Sequence, residues 1–403
     1  MDDGTHANVR WLTLAAWLTI LVFAATTTVP SVSLEHIGTD LQIGFGLRGV
    51  LSTARAVVLA LATFLTGYLA DRYGKRWFLA GGMFVVALAL VGVWRSSDYA
   101  GLMGGMVLGA VGLGAVEALA SPLVADLHPR NVPTQMNVLH GFFPAGIAAF
   151  SPLAGWALDA GMHWRTLFGL AAVLPVLVGV MFAMGRYPTS GGGSRRAPLA
   201  VRRILSNRTF WLLAAAMALT AGSEGALLFW SPNFLQSEYQ VAALVGGGGL
   251  TAFCVTMAVG RFGTGAAVRV VPLHRLMVAL AFLCAVATLF LVVVGHLWVS
   301  IASLALAGVS VACFWPSILS LATSRIAAGS ATLLAMLAVA GIVGWGLLPA
   351  VIGVLGDWFG LRVGLGLVPA AMVAAGLVLM AVPRGHGGPD AEAGTDAAVR
   401  AAS

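Results

Sequence analysis

Apolar residues occur along the chain in long runs that are separated by short polar breaks. A helix that crosses a bilayer needs about 20 predominantly apolar residues, so each run predicts one membrane-spanning helix. Every backbone polar group of such a helix is satisfied within the helix itself. The breaks predict an all-α membrane protein of twelve helices, at residues 11–34, 47–70, 77–95, 100–125, 134–158, 164–185, 209–235, 241–268, 274–295, 298–324, 329–355 and 361–383.

A polar stretch in the middle of the chain divides the twelve helices into two sets of six. It predicts a central loop at 186–208 between an N-terminal bundle, 1–185, and a C-terminal bundle, 209–383. The remaining residues, 384–403, are rich in Gly, Ala and Asp, a composition typical of a disordered tail. The first apolar run is too long for a signal-peptide core and lacks a small-residue cleavage site, so we interpret it as a membrane helix.

The ends of the fifth and eleventh helices carry the same series of residue types. Corresponding spacings in two halves are expected of a membrane protein built from structural repeats. The two series are Pro152-x2-Gly155-x3-Asp159-x5-Arg165 and Pro349-x3-Gly353-x3-Asp357-x4-Arg362.

The charge content excludes a water-soluble globular protein. Charged residues make up 9% of the chain, whereas soluble domains carry about 25%. The net charge of +7 does not indicate a nucleic-acid partner, because the basic residues are scattered between apolar runs and form no groove-tracking stripe. With both termini inside, 17 of the 22 basic residues lie on the cytoplasmic side. The positive-inside rule therefore predicts a multi-pass protein of the inner (plasma) membrane with both termini cytoplasmic.

Enzymatic and metal chemistry find no support in the sequence. The three cysteines, Cys254, Cys284 and Cys313, lie inside apolar segments without a CxxC motif or a histidine at ligand spacing. No nucleophile–base set, metal-ligand set or ATPase P-loop of the form G-x4-G-K-[ST] is present. The sequence predicts no cofactor, no metal and no enzymatic activity, and any work the protein does must draw on ion or solute gradients.

The loop between the second and third helices reads Gly67-Tyr-Leu-Ala-Asp71-Arg72-Tyr-Gly74-Lys75-Arg76. Gly67 suits close helix packing, Asp71 sits at a helix end where it can pair with an arginine, and Gly74 permits a tight turn. The segment resembles the signature loop of the major facilitator superfamily, G-x-L-a-D-r-x-G-r-k. The equivalent loop of the second half is degraded to Gly260-Arg-Phe-Gly263.

This resemblance implies two six-helix bundles around a central cavity, transport by alternating access, and a monomer. The implied conformational lock comprises Gly67, Asp71, Arg72, Gly74, Lys75 and Arg76. In the superfamily such a lock holds the cytoplasmic side shut, so Asp71→Asn is expected to shift the population towards the inward-open state.

A narrower resemblance lies in the fourth, fifth and seventh helices. The segments Gly109-x2-Gly112-x-Gly114-x2-Glu117-x4-Pro122 and Asn137-Val-Leu-His140-Gly-Phe-Phe-x2-Gly146 are similar to the fucose–proton symporter and hexose transporter group. It implies that Glu117 couples protons and that Asn137 contacts sugar. The segment from Gly222 to Phe234 resembles the same group's substrate-facing helix. One departure is that the first helix has no acid between residues 11 and 34, where the symporters have an aspartate.

Two carboxylates stand out independently of any resemblance, because an acid at membrane depth is rare unless it faces a cavity or a partner. Glu117 lies nine residues before Asp126, which places it about 13 Å inside the fourth helix. Glu224 lies 16 residues beyond Arg208 in the seventh helix. Both are candidates for proton coupling, and desolvation favours their protonated form. The alternative is a neutral, hydrogen-bonded acid that joins two helices.

Other polar and aromatic residues are candidate substrate contacts. His140 follows Asn137 by three residues and shares its helix face. Arg55 in the second helix either binds an anionic substrate or extends to the membrane surface. Trp230 and Trp315 either stack on a sugar or act as interfacial anchors.

The leading hypothesis is proton-coupled transport of a small polar solute, with a sugar as the first candidate, in a protein that is surrounded by membrane lipid and has no nucleic-acid partner. One alternative is export of amphipathic, drug-like compounds. Another is carriage of an organic anion through Arg55 or Arg48. The alternative from a different class is a membrane receptor that no longer transports, against which the intact signature loop argues.

Overall fold

The computed structural model describes residues 3–187, 201–326 and 330–383, without the side chains of 3–7, Asp71, Pro133, Asn137 and 330–332. All regular structure in the described residues is helical. The helices are α1 (Asp3–Leu41), α2 (Phe45–Tyr73), α3 (Arg76–Arg95), α4 (Tyr99–Leu127), α5 (Val132–Asp159), α6 (Trp164–Ala171), α7 (Val173–Met184), α8 (Val201–Leu205), α9 (Arg208–Tyr239), α10 (Ala243–Ala267), α11 (Leu273–Val293), α12 (Leu297–Val311), α13 (Phe314–Arg325), α14 (Ser330–Phe359), α15 (Leu361–Leu365) and α16 (Leu367–Ala381).

Twelve spans in the described residues are long and apolar enough to cross a membrane, as the sequence predicts. Three of the spans consist of two helices in series, namely α6 with α7, α12 with α13, and α15 with α16. In each pair the second helix has a proline as its third residue: Pro175, Pro316 and Pro369. Because proline lacks the N–H that bonds the preceding turn, the helix is interrupted there.

The first helix is longer than predicted. It ends at Leu41 and not at residue 34, so Glu35 and Asp40 belong to its last turns. The hydropathy pattern ends at the first acid, but this acid has an ion-pair partner, since Arg48 Nη1 lies 2.9 Å from Glu35 Oε2. The predicted central loop contains the short helix α8, whereas its residues 188–200, and the predicted tail 384–403, lie outside the described residues.

The helices form two bundles, α1–α7 and α9–α16. The main contacts between the bundles are reciprocal: α2 packs on α14, α5 packs on α10, and α1 packs on α9. The second span thus meets the eleventh and the fifth meets the eighth, and these two pairs are equivalent contacts because the second span corresponds to the eighth and the fifth to the eleventh. The third pair joins the first span with the seventh, which correspond to each other. We call the side where α1 begins and α16 ends the terminal side, and the opposite side the far side.

The bundles touch on the far side and diverge towards the terminal side. Gly155 packs so closely on Ala243 and Leu244 that no side chain would fit between them, and Gly49 packs in the same way on Pro349. Towards the terminal side, no described atom outside its own helix lies within 4 Å of the position at which a side chain of Gly67, Gly141 or Gly263 would begin. A vestibule between the bundles therefore opens to the terminal side.

Candidate functional site: a central cavity between the bundles

Two aspartates close the far side by capping helices of the opposite bundle. Asp159, at the end of α5, accepts hydrogen bonds from the N–H groups of Ala243 and Leu244 at the start of α10, both at 2.8 Å. Asp357, near the end of α14, accepts one from the N–H of Gly46 at the start of α2, also at 2.8 Å. The first N–H groups of a helix lack partners within it and attract negative charge. The repeated Pro-Gly-Asp series thus forms a reciprocal gate.

The arginines that complete the two series act within their own bundles. Arg165 forms an ion pair with Asp40 and donates to the carbonyl of Ser96 at 2.6 Å. Arg362 lies 3.0 Å from Glu238 and donates to the carbonyl of Val292 at 2.8 Å. Each arginine therefore joins the far ends of three spans of its bundle, and the same arrangement occurs in both halves.

Removing the two gate carboxylates is expected to open the far side. The negative charge of a carboxylate at a helix N-terminus contributes about 0.3–2 kcal/mol, so Asp159→Asn and Asp357→Asn should each raise far-side labelling of Ala56→Cys about two- to thirtyfold. The reagent is a membrane-impermeant maleimide applied from the far side. Asp98→Asn is the matched control, because Asp98 caps α4 through the N–H of Gly101 at 2.8 Å without touching the other bundle. Equal labelling in all three variants would contradict the assignment.

Arg55 points into the space between the bundles, and Pro30 explains its orientation. Pro30 has no N–H, so the carbonyl of Thr26, four residues earlier in α1, lacks its usual helical donor. Arg55 Nη1 donates to that carbonyl at 3.0 Å, and Nη2 lies 3.2 Å from Thr26 Oγ1 and 3.3 Å from Thr27 Oγ1. No described carboxylate pairs with Arg55. The half-buried guanidinium is therefore held in place by neutral oxygens, and none of these partners carries a charge that opposes its own.

Two further carbonyls released by prolines are bound across the bundle interface. Pro232 leaves the carbonyl of Leu228 without a helical donor, and Ser31 Oγ of α1 donates to it at 2.6 Å. Pro152 does the same for Ala148, which accepts from Thr251 Oγ1 of α10 at 3.2 Å. These contacts add to the far-side gate, and they break if the bundles part there.

Aromatic side chains surround the cavity next to Arg55. The Arg55 guanidinium carbon lies 5.8 Å from the ring centre of Phe23, and Trp345 packs against Gly225 with its ring 6.5 Å from that of Phe143. The other apolar lining residues are Pro30, Ala56, Leu59, Met106, Leu228, Phe229 and Ile342. The cavity thus combines one cation with a largely aromatic and aliphatic wall.

The sequence analysis missed Trp345. The sequence does contain a signal for this position, because Trp345 precedes Pro349 by four residues. Thr26 precedes Pro30 by the same spacing, at which a proline leaves the earlier carbonyl without its helical donor.

Trp230 does not line this cavity. It is fully buried in the far-side gate, where its Nε1 donates to the carbonyl of Pro349 at 2.9 Å. Trp315 is half-buried and packs over Gly341 of α14. The indole of Trp230 therefore meets no solute while the far side is closed.

Arg48, the other arginine considered for an anion, is 7% exposed and is occupied by Glu35. Glu35 in turn accepts from Asn233 Nδ2 of the second bundle at 2.6 Å. Arg48 is thus part of the gate, and Arg55 is the arginine that faces the cavity.

Glu117 faces the vestibule on the terminal side of this cavity. It follows Met106 by eleven residues in α4, which is three helical turns, so the two side chains share a face. Leu113, one turn earlier on the same side of α4, is buried, whereas Glu117 is exposed. No described side chain forms a hydrogen bond or ion pair with Glu117.

A second polar group of the vestibule involves both bundles. His140 of α5 is exposed, and its Nε2 lies 3.3 Å from Ser121 Oγ of α4. Arg261 of α10 interacts electrostatically with His140 and with Glu224 of α9. The sequence analysis assigned Gly260–Gly263 to a degraded loop, although its predicted helix 241–268 contains Arg261, and the structure places Arg261 within a membrane span. The side chain of Asn137, which the resemblance links to sugar, lies outside the described residues.

The signature loop adopts the turn that its sequence predicts. Gly74 has a φ of +83°, a conformation that favours glycine, and Lys75 Nζ lies 2.5 Å from Asp126 at the end of α4. Arg72 stacks on Tyr73, and Arg76 stacks on Trp77. Gly67 faces open space and makes no close helix contact in this conformation. The side chain of Asp71 is outside the described residues, so its lock contact stays a prediction.

Comparison with known proteins identifies the family. A family model described as Major Facilitator Superfamily matches residues 15–341. The chain belongs to this superfamily.

Relatives within the superfamily include the protein spinster of Drosophila melanogaster, 22% identical over 56% of this chain and 39% of spinster. The sphingosine-1-phosphate transporter SPNS2 of Danio rerio is 24% identical over 54% of this chain and 45% of SPNS2. The matches thus span less than half the length of either relative. A crystal structure of a bacterial homolog of the human lysosomal transporter spinster, in an inward-facing and unoccupied conformation, superimposes with a TM-score of 0.76 and 15% identity. The superposition covers 95% of this chain and 96% of that structure, which supports the fold.

Proposed function

We propose that this major facilitator protein transports an amphipathic organic anion by alternating access. The observation that carries the proposal is Arg55, a cation with no described carboxylate partner that lines a cavity otherwise built from aromatic and aliphatic side chains. A charge at membrane depth is costly and is retained where it meets a substrate or ion. The anionic group would bind Arg55, and the apolar part would lie against Phe23, Phe229 and Trp345.

The relative SPNS2 is named as a transporter of sphingosine-1-phosphate, a solute with a phosphate group and a long apolar chain. That chemistry fits the cavity of this chain and supports the same class of substrate. A sugar is the second candidate, favoured by the resemblance of Glu117 and Asn137 to the fucose–proton symporter and hexose transporter group. The cavity wall offers a sugar few hydrogen-bonding groups, with Thr27, Ser52 and Arg55 as its polar members.

We further propose that Glu117 couples transport to protons. Glu117 is the carboxylate of the first bundle that faces the vestibule without a described partner. Because no described cation neutralises it, Glu117 can bind and release a proton during transport. Glu224 is the weaker candidate, because Arg261 supplies a positive charge nearby. The excess of basic residues on the terminal side supports a cytoplasmic location for that side, so the conformation described here would be open to the cytoplasm.

The test is transport into proteoliposomes from a panel of labelled solutes, with and without a pH gradient. The panel contains decanoate, decyl phosphate, fucose, xylose and the neutral amide decanamide, and protein-free liposomes measure passive diffusion. We expect saturable transport of decanoate and decyl phosphate and none of the sugars. Transport of fucose or xylose with no effect of the two anions would replace the proposal with the sugar hypothesis.

A further inference from the structure

Helices α5 and α10 face each other along one stripe of residues each. On the far side Ser151 Oγ donates to the carbonyl of Gly247 at 2.9 Å. His140 lies eleven residues before Ser151, and Arg261 lies fourteen residues after Gly247. Because an α-helix has 3.6 residues per turn, His140 and Arg261 each lie within about 40°, viewed down the helix axis, of the contact residue on their own helix. The two helix faces that are in contact on the far side therefore continue towards the terminal side, where the helices diverge and where these faces carry His140 and Arg261.

Arg261 faces this gap with an unused donor. Its Nε is buried and has no hydrogen-bond partner among the described residues, although the side chain interacts electrostatically with His140 across the gap. Its guanidinium stays charged at every physiological pH. Arg261 thus has no hydrogen-bond acceptor among the described residues in the open state, and closure of the vestibule would bring His140 towards it.

The charged and titratable groups around His140 are few. On α4, which lies beside α5, Glu117 is one turn from Ser121, the hydrogen-bond partner of His140. On the opposite bundle the groups are Arg261 and, next to it, Glu224. Helix α1 also packs on α5 but has no titratable residue between Arg10 and Glu35.

We propose that Arg261 and His140 form the closing contact of the terminal side and that a proton on His140 prevents this contact. A neutral imidazole can accept a hydrogen bond from the guanidinium, whereas a protonated ring has no acceptor and repels it. Histidine changes charge between about pH 5 and 8. The closed state is therefore favoured as pH rises through this range, and the vestibule stays open as pH falls. The inference uses the transport cycle of the superfamily and does not depend on the class of solute.

The test measures the distance between the terminal ends of α5 and α10. Spin labels are attached at Thr134→Cys and Val270→Cys, both exposed, while the three native cysteines are at most 1% exposed. Double electron–electron resonance is recorded in lipid nanodiscs at about pH 5 and about pH 8. All variants carry Glu117→Gln, so that titration of Glu117 does not contribute to the difference.

The starting protein is expected to shift towards the short distance at the higher pH, with the open-to-closed ratio changing about fivefold or more. His140→Gln should favour the closed state at both pH values, and His140→Lys should favour the open state at both. Arg261→Gln should lose the pH response, whereas Arg261→Lys, which keeps the charge, should retain it. His163→Gln, an exposed far-side control, should behave like the starting protein. A full pH response in Arg261→Gln, or its loss in Arg261→Lys, would overturn the proposal.

Discussion

Arg55→Gln is expected to weaken the binding of decanoate or decyl phosphate about ten- to hundredfold. Hydrogen bonds to a charged group contribute about 1.5–3 kcal/mol, and about 1.4 kcal/mol corresponds to a tenfold change in affinity. Without the guanidinium, a carboxylate or phosphate would enter an aromatic cavity with no described cation beside it. Isothermal titration of the purified protein measures the change directly.

Two further variants show whether the affinity for the anion depends on the positive charge alone or also on the planar guanidinium group. Arg55→Lys keeps the charge but cannot bind the Thr26 carbonyl and a ligand with the same planar group, so we expect an intermediate affinity. Arg95→Gln is the matched control, because Arg95 is exposed at the end of α3 and stacks on Trp94. Equal affinities in Arg55→Gln, Arg95→Gln and the parent protein would exclude Arg55 as the anion site.

Glu117→Gln is expected to abolish uphill accumulation while solute exchange continues. Glutamine resembles the protonated acid in shape and charge, so the solute still binds and the bundles still move. With one proton per solute, a gradient of one pH unit drives about tenfold accumulation, and the variant should reach only equal concentrations. Proteoliposomes with an imposed pH gradient measure the accumulation, and counterflow without a gradient measures exchange.

Glu224→Gln provides the comparison within the same vestibule. Arg261 supplies a positive charge near its carboxyl group, so the variant should alter the rate of transport and retain accumulation. If Glu224→Gln loses accumulation and Glu117→Gln keeps it, the coupling role passes to Glu224. If both variants accumulate solute like the parent protein, proton coupling through either acid is excluded.

Hydropathy predicts the number and order of the spans because each one must satisfy its backbone in an apolar medium. It misplaces the end of α1 because it treats the charge of Glu35 as the end of the span. Arg48, which lies in α2 and is 13 residues further along the chain, compensates that charge. It also does not reveal that three spans are divided into two helices. Those interruptions follow from single prolines, whose effect depends on the local turn and not on average hydropathy.

The candidate site was predicted only in part, because its geometry depends on contacts between distant segments. The sequence shows Pro30 and Arg55 separately, but not that one releases the carbonyl that the other binds. The sequence placed Arg261 both in the predicted helix 241–268 and in a degraded Gly-Arg-Phe-Gly loop, and α10, which continues to Ala267, confirms the helix. The repeated Pro-Gly-Asp-Arg series was visible in the sequence, and the fold explains it as reciprocal caps and intrabundle ion pairs.

The most direct test of the central claim, that Arg55 selects an anionic amphiphile, compares charged and neutral forms of one ligand. Dissociation constants of 1-naphthaleneacetate and 1-naphthaleneacetamide are measured for the parent protein and for Arg55→Gln. The account predicts that the parent prefers the acid by about tenfold or more and that this preference disappears in Arg55→Gln, while the amide binds both proteins equally. Equal affinity of the parent for the acid and the amide, or an undiminished preference in Arg55→Gln, would contradict it.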